Sequence, residues 1–299
     1  MKISARHKGI ICIILSAFCF ATMNMFLRFA GDLPFWQKGF FRNSIALFLA
    51  LGLMLRRKKG ERGKITKENI WLLLGRASFG TMGLLCNFYC VDHMNISDAS
   101  MLNKLAPFFA IIFSAFFLKE KAKWYQWGAV VIAFLGSLLI VKPAFGLETG
   151  PALIGVLGGL GAGVAYTCVR KLGQMGTPGP LIVFFFSAFS VILLGPIVGL
   201  TYVPMTGQQW LFLLLTGIAA SGGQIFVTAA YTFAAAKEIS VYDYSQVIFA
   251  AIWGILFFSQ MPDVFSIIGY VIIIAVALWM FFMNKSKEAG AESPKGEKE

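Results

Sequence analysis

The chain reads as a nearly continuous series of apolar runs, ten in all, separated by short polar breaks. The runs fall near residues 10–30, 35–55, 70–91, 97–117, 125–141, 152–169, 180–200, 210–230, 240–258 and 264–283. A helix needs about 20 residues to cross the hydrocarbon core of a bilayer, and most of the runs approach or reach that length. The fifth and sixth are the shortest. The breaks hold residues that stop or start helices: Asp32 and Pro34 after the first run, Thr149, Gly150 and Pro151 before the sixth, Pro178, Gly179 and Pro180 at the seventh, and Met261, Pro262 and Asp263 before the tenth. The pattern predicts an all-α membrane protein with ten transmembrane helices.

Composition excludes the soluble alternative. Of 299 residues, 58% are hydrophobic and 13% charged, which a water-soluble chain of this length does not need. The longest polar segments are about 56–69 and the C-terminal KSKEAGAESPKGEKE, where Lys, Glu and Gly predict a disordered cytoplasmic tail over 286–299. Cys12, Cys19, Cys86, Cys90 and Cys168 all sit in apolar runs, as small buried side chains with no disulfide expected. Cys86 and Cys90 are one turn apart, but no cluster of His or acids beside them makes a metal site, and no cofactor is expected. Lys2, Arg6 and Lys8 before the first run look like the start of a signal peptide. The nine runs that follow make an uncleaved first crossing the better reading.

The net charge of +12 raises the question of nucleic acid, and its placement answers it. With the N-terminus in the cytoplasm, 20 of the 26 Lys and Arg residues fall on the cytoplasmic side: the N-terminal segment, residues 56–67, 119–123 and 170–171, Lys237 and the tail. The opposite side has Lys142 as its clear basic loop residue, beside Asp32, Asp92, Glu148 and Asp263. The positive-inside rule then predicts an even number of crossings with both termini cytoplasmic. The expected place is the plasma membrane, the cytoplasmic or inner membrane of a prokaryote, with no nucleic-acid partner.

Residues 1–145 and 150–285 each hold five runs. Ile96-Ser97 precedes the fourth run and Ile239-Ser240 the ninth, 143 residues later, an offset that also matches Asn103 with Gln246. Arg28 ends the first run and Arg170 the sixth. Five is odd, so a repeated five-crossing unit enters the membrane in the opposite sense. Such inverted pairs commonly enclose a site near the bilayer midplane.

Residues 98–143 combine a proline-bearing fourth helix, a Leu/Lys-Glu junction and a glycine-bearing fifth helix, through Leu105, Pro107, Leu118, Glu120, Gly128 and Gly136. In these features the chain resembles the drug/metabolite transporter superfamily, specifically its EamA-type ten-helix members, over residues 8–283. The second half departs from the pattern: Ala250 stands at the place of Pro107, and Asp263 at that of Glu120. The resemblance implies two EamA-like five-helix repeats. That family includes exporters and importers of amino acids, nucleotide-linked sugars and other metabolites, so substrate and direction stay open.

Ionisable residues inside crossings are expensive and usually face protein or water. Arg42, Arg76, Lys104 and Asp243 are therefore the first candidates for a substrate path, with Asp98 nearer an edge. Arg28 and Lys38 are read as snorkelling to the interfaces. Arg76, Gly80 and Asn87 share one face of the third helix, which borders either a wet cavity or a packed neighbour. Pro107 removes the usual partner of the Asn103 carbonyl, and a kink there exposes a polar patch beside Lys104. That lysine would attract a carboxylate or phosphate, or pair with an acid. Ser240, Asp243, Gln246 and Ala250 share a face of the ninth helix. Asp243 is open to a substrate amine, a coupling proton or a basic residue of the first half. Asn24 and Tyr166 occupy corresponding places in the two halves and can hydrogen-bond in a central cavity. Gly155, Gly159 and Gly163 permit a close helix crossing, or sliding.

The functional reading is a secondary transporter of a small polar metabolite, anionic or zwitterionic with an amino-acid-like molecule favoured, whose halves rock about a central site. No Walker-type loop is present, so a solute gradient, a proton or ion, or exchange drives it. The chain is not expected to be an enzyme: His7 and His93 lie in different regions, with no H-x-x-x-H pattern. A membrane-embedded enzyme and a non-transporting scaffold or receptor are the alternatives. The expected partners are the metabolite, a coupling proton or ion, and membrane lipid, and a homodimer is left open.

Overall fold

A computed structural model of the protein describes residues 5–56, 66–67, 69–117, 123–141, 149–233 and 240–292. Lipid offers the backbone no hydrogen-bond partners, so a spanning chain must satisfy its amides within each segment. The described residues accordingly form ten helical crossings and no strand. The first three are α1 (Ala5–Phe29), α2 (Phe35–Arg56) and α3 (Ile70–His93). The fourth is broken into α4 (Ile96–Asn103) and α5 (Ala106–Phe117). Then come α6 (Trp124–Val141), α7 (Thr149–Gln174), α8 (Gly179–Thr201) and α9 (Gly207–Phe233). The ninth crossing opens with a 3-10 segment, Ser240–Tyr244, that leads into α10 (Ser245–Phe258), and α11 (Val264–Glu292) is the tenth. Seven crossings are long and apolar enough to span on length and composition alone; α6 and the ninth are shorter, and α3 carries Arg76, Asn87 and Asp92.

Side-chain distribution is that of a protein in lipid. Large apolar residues face outward, Leu200 being 88% exposed and Trp71 77%, while Lys38 and Asn43 are wholly buried. A soluble protein would show the reverse.

Packing follows a rule of exchange. When each crossing is replaced by the one five places along, the extensive contacts map onto one another, while the slighter contacts of α3 with α1, α2 and α4 have no counterpart of similar extent. The contact of α1 with α9 becomes that of α7 with α3, and α2 with α9 becomes α8 with α3. The contact of α5 with α7 becomes that of α10 with α1. The pairs α2–α8, α4–α10 and α6–α11 map onto themselves. This is the plan of two inverted five-helix repeats. Every extensive helix contact joins one half to the other, and contacts within a half are slight.

Two packing groups result. One holds α1, α2, α9 and α10; the other holds α3, α4 with α5, α7 and α8. The α6–α11 pair stands to one side, where Val130, Phe134 and Leu138 leave an apolar groove against Leu153 and Val156. Glycine sets the closest approach. A Cβ on Gly83 would lie 3.0 Å from the Ala162 N and Gly158 O atoms of α7. One on Gly159 would lie 2.9 Å from Leu102 O, and one on Gly163 2.4 Å from Phe109 Cβ. The α7 helix thus presents one small face to α3 and another to α4 and α5.

Three features differ from the sequence expectation. The last helix runs to Glu292, into the stretch 286–299 read as disordered. Its Lys, Glu and Ala residues are good helix formers, and the long apolar helix before them removes the nucleation cost. Lys38 does not snorkel but is buried within the bundle, and Arg28 turns inward onto α3. Lys2, residues 57–65, Leu118, Lys119, Glu120, Lys121, Lys142, Glu148, Lys237 and 293–299, which the sequence places at the chain ends and in the connections, lie outside the described residues.

Candidate substrate site

The break in the fourth crossing organises the centre. Pro107 has no amide hydrogen, and the ladder shifts: Phe108 N donates to Leu105 O at 3.0 Å instead of to Lys104 O. The carbonyl of Lys104 accepts from Tyr244 Oη at 3.4 Å, from the opposite half. The Lys104 ammonium meets Asp243 Oδ2 at 2.5 Å. Side-chain exposure is 10% for Lys104 and 32% for Asp243, so the lysine is enclosed and the aspartate opens to space. Asp243 Oδ1 has no hydrogen-bond partner among the described residues.

Charge continues away from this pair. Tyr166 lies within Coulombic reach of both Asp243 and Arg76, and Arg76 within reach of Arg42. Tyr166 is 50% exposed, although it shares the face of α7 that carries Gly159 and Gly163 and packs on the fourth crossing. A tyrosine on a helix face packed against another crossing, and still half exposed, marks a gap between the two. The Tyr166 hydroxyl makes no hydrogen bond within the described chain.

The two arginines are unusual for a lipid-embedded bundle. Arg42 is buried, and its Nη1 donates to Asn43 Oδ1 at 2.5 Å while its Nε has no partner. Arg76 lies 4.2 Å over the Phe186 ring, and its Nε is likewise unpartnered. The guanidinium folds back over Gly80, where a Cβ would fall 1.9 Å from Arg76 Nη1. The ion pairs among the described residues are Lys38–Asp92 and Lys104–Asp243, so neither arginine has a carboxylate. Between the arginines and the far end lies a neutral network: Asn87 Nδ2 reaches Asn24 Oδ1 at 3.5 Å, and Asn24 Nδ2 reaches Ser100 Oγ at 3.3 Å. Gln246 is buried on α10, one turn beyond Asp243, and Asn103 is partly buried at the end of α4.

The end carrying the 30–34, 94–95, 202–206 and 259–263 turns is drawn shut. Lys38 Nζ holds both oxygens of Asp92, at 2.7 and 2.8 Å. Arg28 donates to Val91 O and, at 2.7 Å, to Met94 O. Gln37 binds Val203 through both backbone groups, at 2.9 and 3.0 Å. Trp36 Nε1 donates to Thr201 Oγ1 at 3.1 Å, and Gln260 Oε1 accepts from Ile96 N at 3.1 Å. Each of these links the first packing group to the second or to the turn that leaves it.

Sequence reasoning missed most of this end. Asp92 reads as a loop acid, yet it completes α3 and pairs with Lys38. Gln37 and Gln260 are polar residues near run ends, where nothing marks them off from solvated ones. Asp98 is buried, and Tyr270 Oη from the tenth crossing donates to it and to Ser97 Oγ (3.1 Å to the latter). Asp263 Oδ1 accepts from Ser266 N at 2.8 Å and caps α11.

Residues 7–142 and 150–282 each match the EamA-like transporter family. The chain belongs to that family. Among the curated proteins similar to this EamA-like transporter is the pseudopaline exporter CntI of Pseudomonas aeruginosa, 32% identical over 281 residues, covering 93% of this chain and 97% of the relative. Solute carrier family 35 member G1 of Homo sapiens is 28% identical over 290 residues, covering 89% of this chain and 77% of the relative. A solved crystal structure with 16% identity superposes with a TM-score of 0.64, covering 92% of this chain and 98% of that one, which shows the shared fold. The family and these relatives make the protein a multi-pass membrane transporter of small molecules.

Proposed function

We propose that this EamA-like chain is a secondary transporter of a small metabolite with at least one anionic group, an amino-acid-like molecule being favoured, working by alternating access. The observation that carries the reading is the Arg42–Arg76 pair, one guanidinium buried and the other half-buried, with no carboxylate paired to either among the described residues. A buried charge without a partner costs several kcal/mol, and like charges in reach of each other add to it. An anion that binds beside them offsets that cost, which favours its binding. Phe186 and the bare face at Gly80 hold Arg76 in position without neutralising it.

The five-helix repeats, 1–145 and 150–285, supply the symmetry but are not the moving bodies. The bodies are the two packing groups, each with two crossings from either repeat. Rocking them about the α2–α8 and α4–α10 seams opens one end and shuts the other. With both termini in the cytoplasm, the shut end faces outward and the opening at Tyr166 and Asp243 faces the cytoplasm. Export is the direction favoured by the similarity to the pseudopaline exporter.

The test is counterflow in liposomes containing the purified chain, with labelled amino acids and carboxylates offered singly. Saturable exchange of an anionic or zwitterionic solute is expected, falling at least about tenfold in Arg42→Gln and in Arg76→Gln, a loss of ~1.4 kcal/mol or more. Wild-type rates in both variants reject the reading.

A further inference from the structure

We infer that Asp243 Oδ1 is the amine-binding atom of the substrate site, so that the site is bipolar: arginines for the acidic end of the ligand and Asp243 for an ammonium group. The inference rests on the proposed anion site and adds the second pole to it.

Two lysine–aspartate pairs in one molecule show the difference. At the shut end, Lys38 is fully buried and holds both carboxylate oxygens of Asp92. That acid has its charge met by one cation on both sides. At the centre, Lys104 holds only Oδ2 of Asp243. The lysine is nearly enclosed, and the aspartate is the more exposed partner. The free oxygen therefore belongs to the opening. Lys104 is a positioning residue, fixing the carboxylate by one oxygen and leaving the other as a charged acceptor.

Position on the chain supports the same assignment. Asp243 stands in a 3-10 turn at the mouth of the ninth crossing, between α1, α10 and α11, which all pack on that turn. Tyr166, whose hydroxyl has no partner among the described residues, is close enough to feel the charges of both Asp243 and Arg76. The groups gathered around Tyr166 are thus an anionic acceptor, its own neutral hydroxyl and cations. A carboxylate alone satisfies one pole of that array and leaves Asp243 facing it with like charge. An ammonium alone meets two guanidiniums. A molecule with both groups matches both poles, and charge-assisted hydrogen bonds are the strong ones in such a setting. Discrimination of this kind comes as much from the repelled competitor as from the accepted ligand.

Paired probes differing only in the amine test this: glutamate with glutarate, leucine with 4-methylpentanoate, phenylalanine with 3-phenylpropionate. Binding to the intact protein in nanodiscs is read by thermal shift, which does not depend on transport. For at least one pair the amino compound is expected to stabilise at about tenfold lower concentration than its des-amino partner. Asp243→Asn is expected to bring the two within about twofold, and Asp243→Glu, which keeps the charge, to restore the preference. Equal or better binding of every des-amino probe by the wild type overturns the inference, as does an amine preference that survives in Asp243→Asn. So does the absence of stabilisation by any of the six. If Arg42→Gln and Arg76→Gln leave both members of each pair unaffected, the anion site itself fails. If those variants lose both members while the amine preference ignores Asp243, the second pole alone fails.

Discussion

At the residue scale, Gly80 shows how an absent side chain does chemical work. The Arg76 guanidinium occupies the space its Cβ would take, at 1.9 Å. Gly80→Ala is therefore expected to push the arginine off Phe186 while leaving the helix intact, since alanine is the better helix former by about 1 kcal/mol. Counterflow should fall by about tenfold or more, with thermal stability equal to or above wild type; normal transport would show that the folded-back arginine is idle. Lys38 and Asp92 make the opposite case. With Lys38 at 0% exposure and both oxygens engaged, Asp92→Asn strands a buried ammonium. Equilibrium unfolding in mixed micelles should register a loss of about 3–5 kcal/mol. Adding Lys38→Met is expected to recover most of it, because the pair together is worth far less than the cost of breaking it.

At the scale of elements, the shut end depends on amides and cations that reach across the packing groups. Gln37 is the simplest to remove, since both of its bonds go to the backbone of Val203. Gln37→Leu keeps the volume and deletes the clamp. Amide exchange at Val203 should rise about tenfold or more, and unchanged protection would mean that the turn is held by other contacts. These elements also show what a sequence reveals. The crossings were legible because lipid demands long apolar helices, and the break near Lys104 was legible because a proline has one physical effect. The intramembrane charges stood out for the same reason. The partners were not legible. Nothing in the local pattern tells Asp92 that it faces Lys38, or leaves Arg42 without an acid, because both facts depend on which crossings become neighbours. Gln37 and Gln260 were invisible in a different way, as ordinary polar residues whose role exists only once a turn from the other half arrives.

At the scale of the molecule, exchange of the two halves preserves the packing, while each half alone has little of it. The repeat units are thus units of symmetry rather than of packing. This explains why matching Asn24 with Tyr166 by offset identifies two residues in different environments, one in a buried amide network and the other on the opening. Contacts shared between the halves also mean that neither packing group is built from one consecutive stretch of chain, so the proposed rocking of one against the other would bend several connections by a little instead of one connection by a lot.

Because every extensive contact runs between the halves, a gene cut between Val141 and Thr149 would encode two fragments that need each other. Each fragment made alone is expected to be cleared by membrane proteolysis, since its lipid-facing and partner-facing sides are both bare. Made together, they should reassemble, co-purify and regain solute exchange. A lone fragment that accumulates as a stable monomer would show that the interlocked bundle can be taken apart after all.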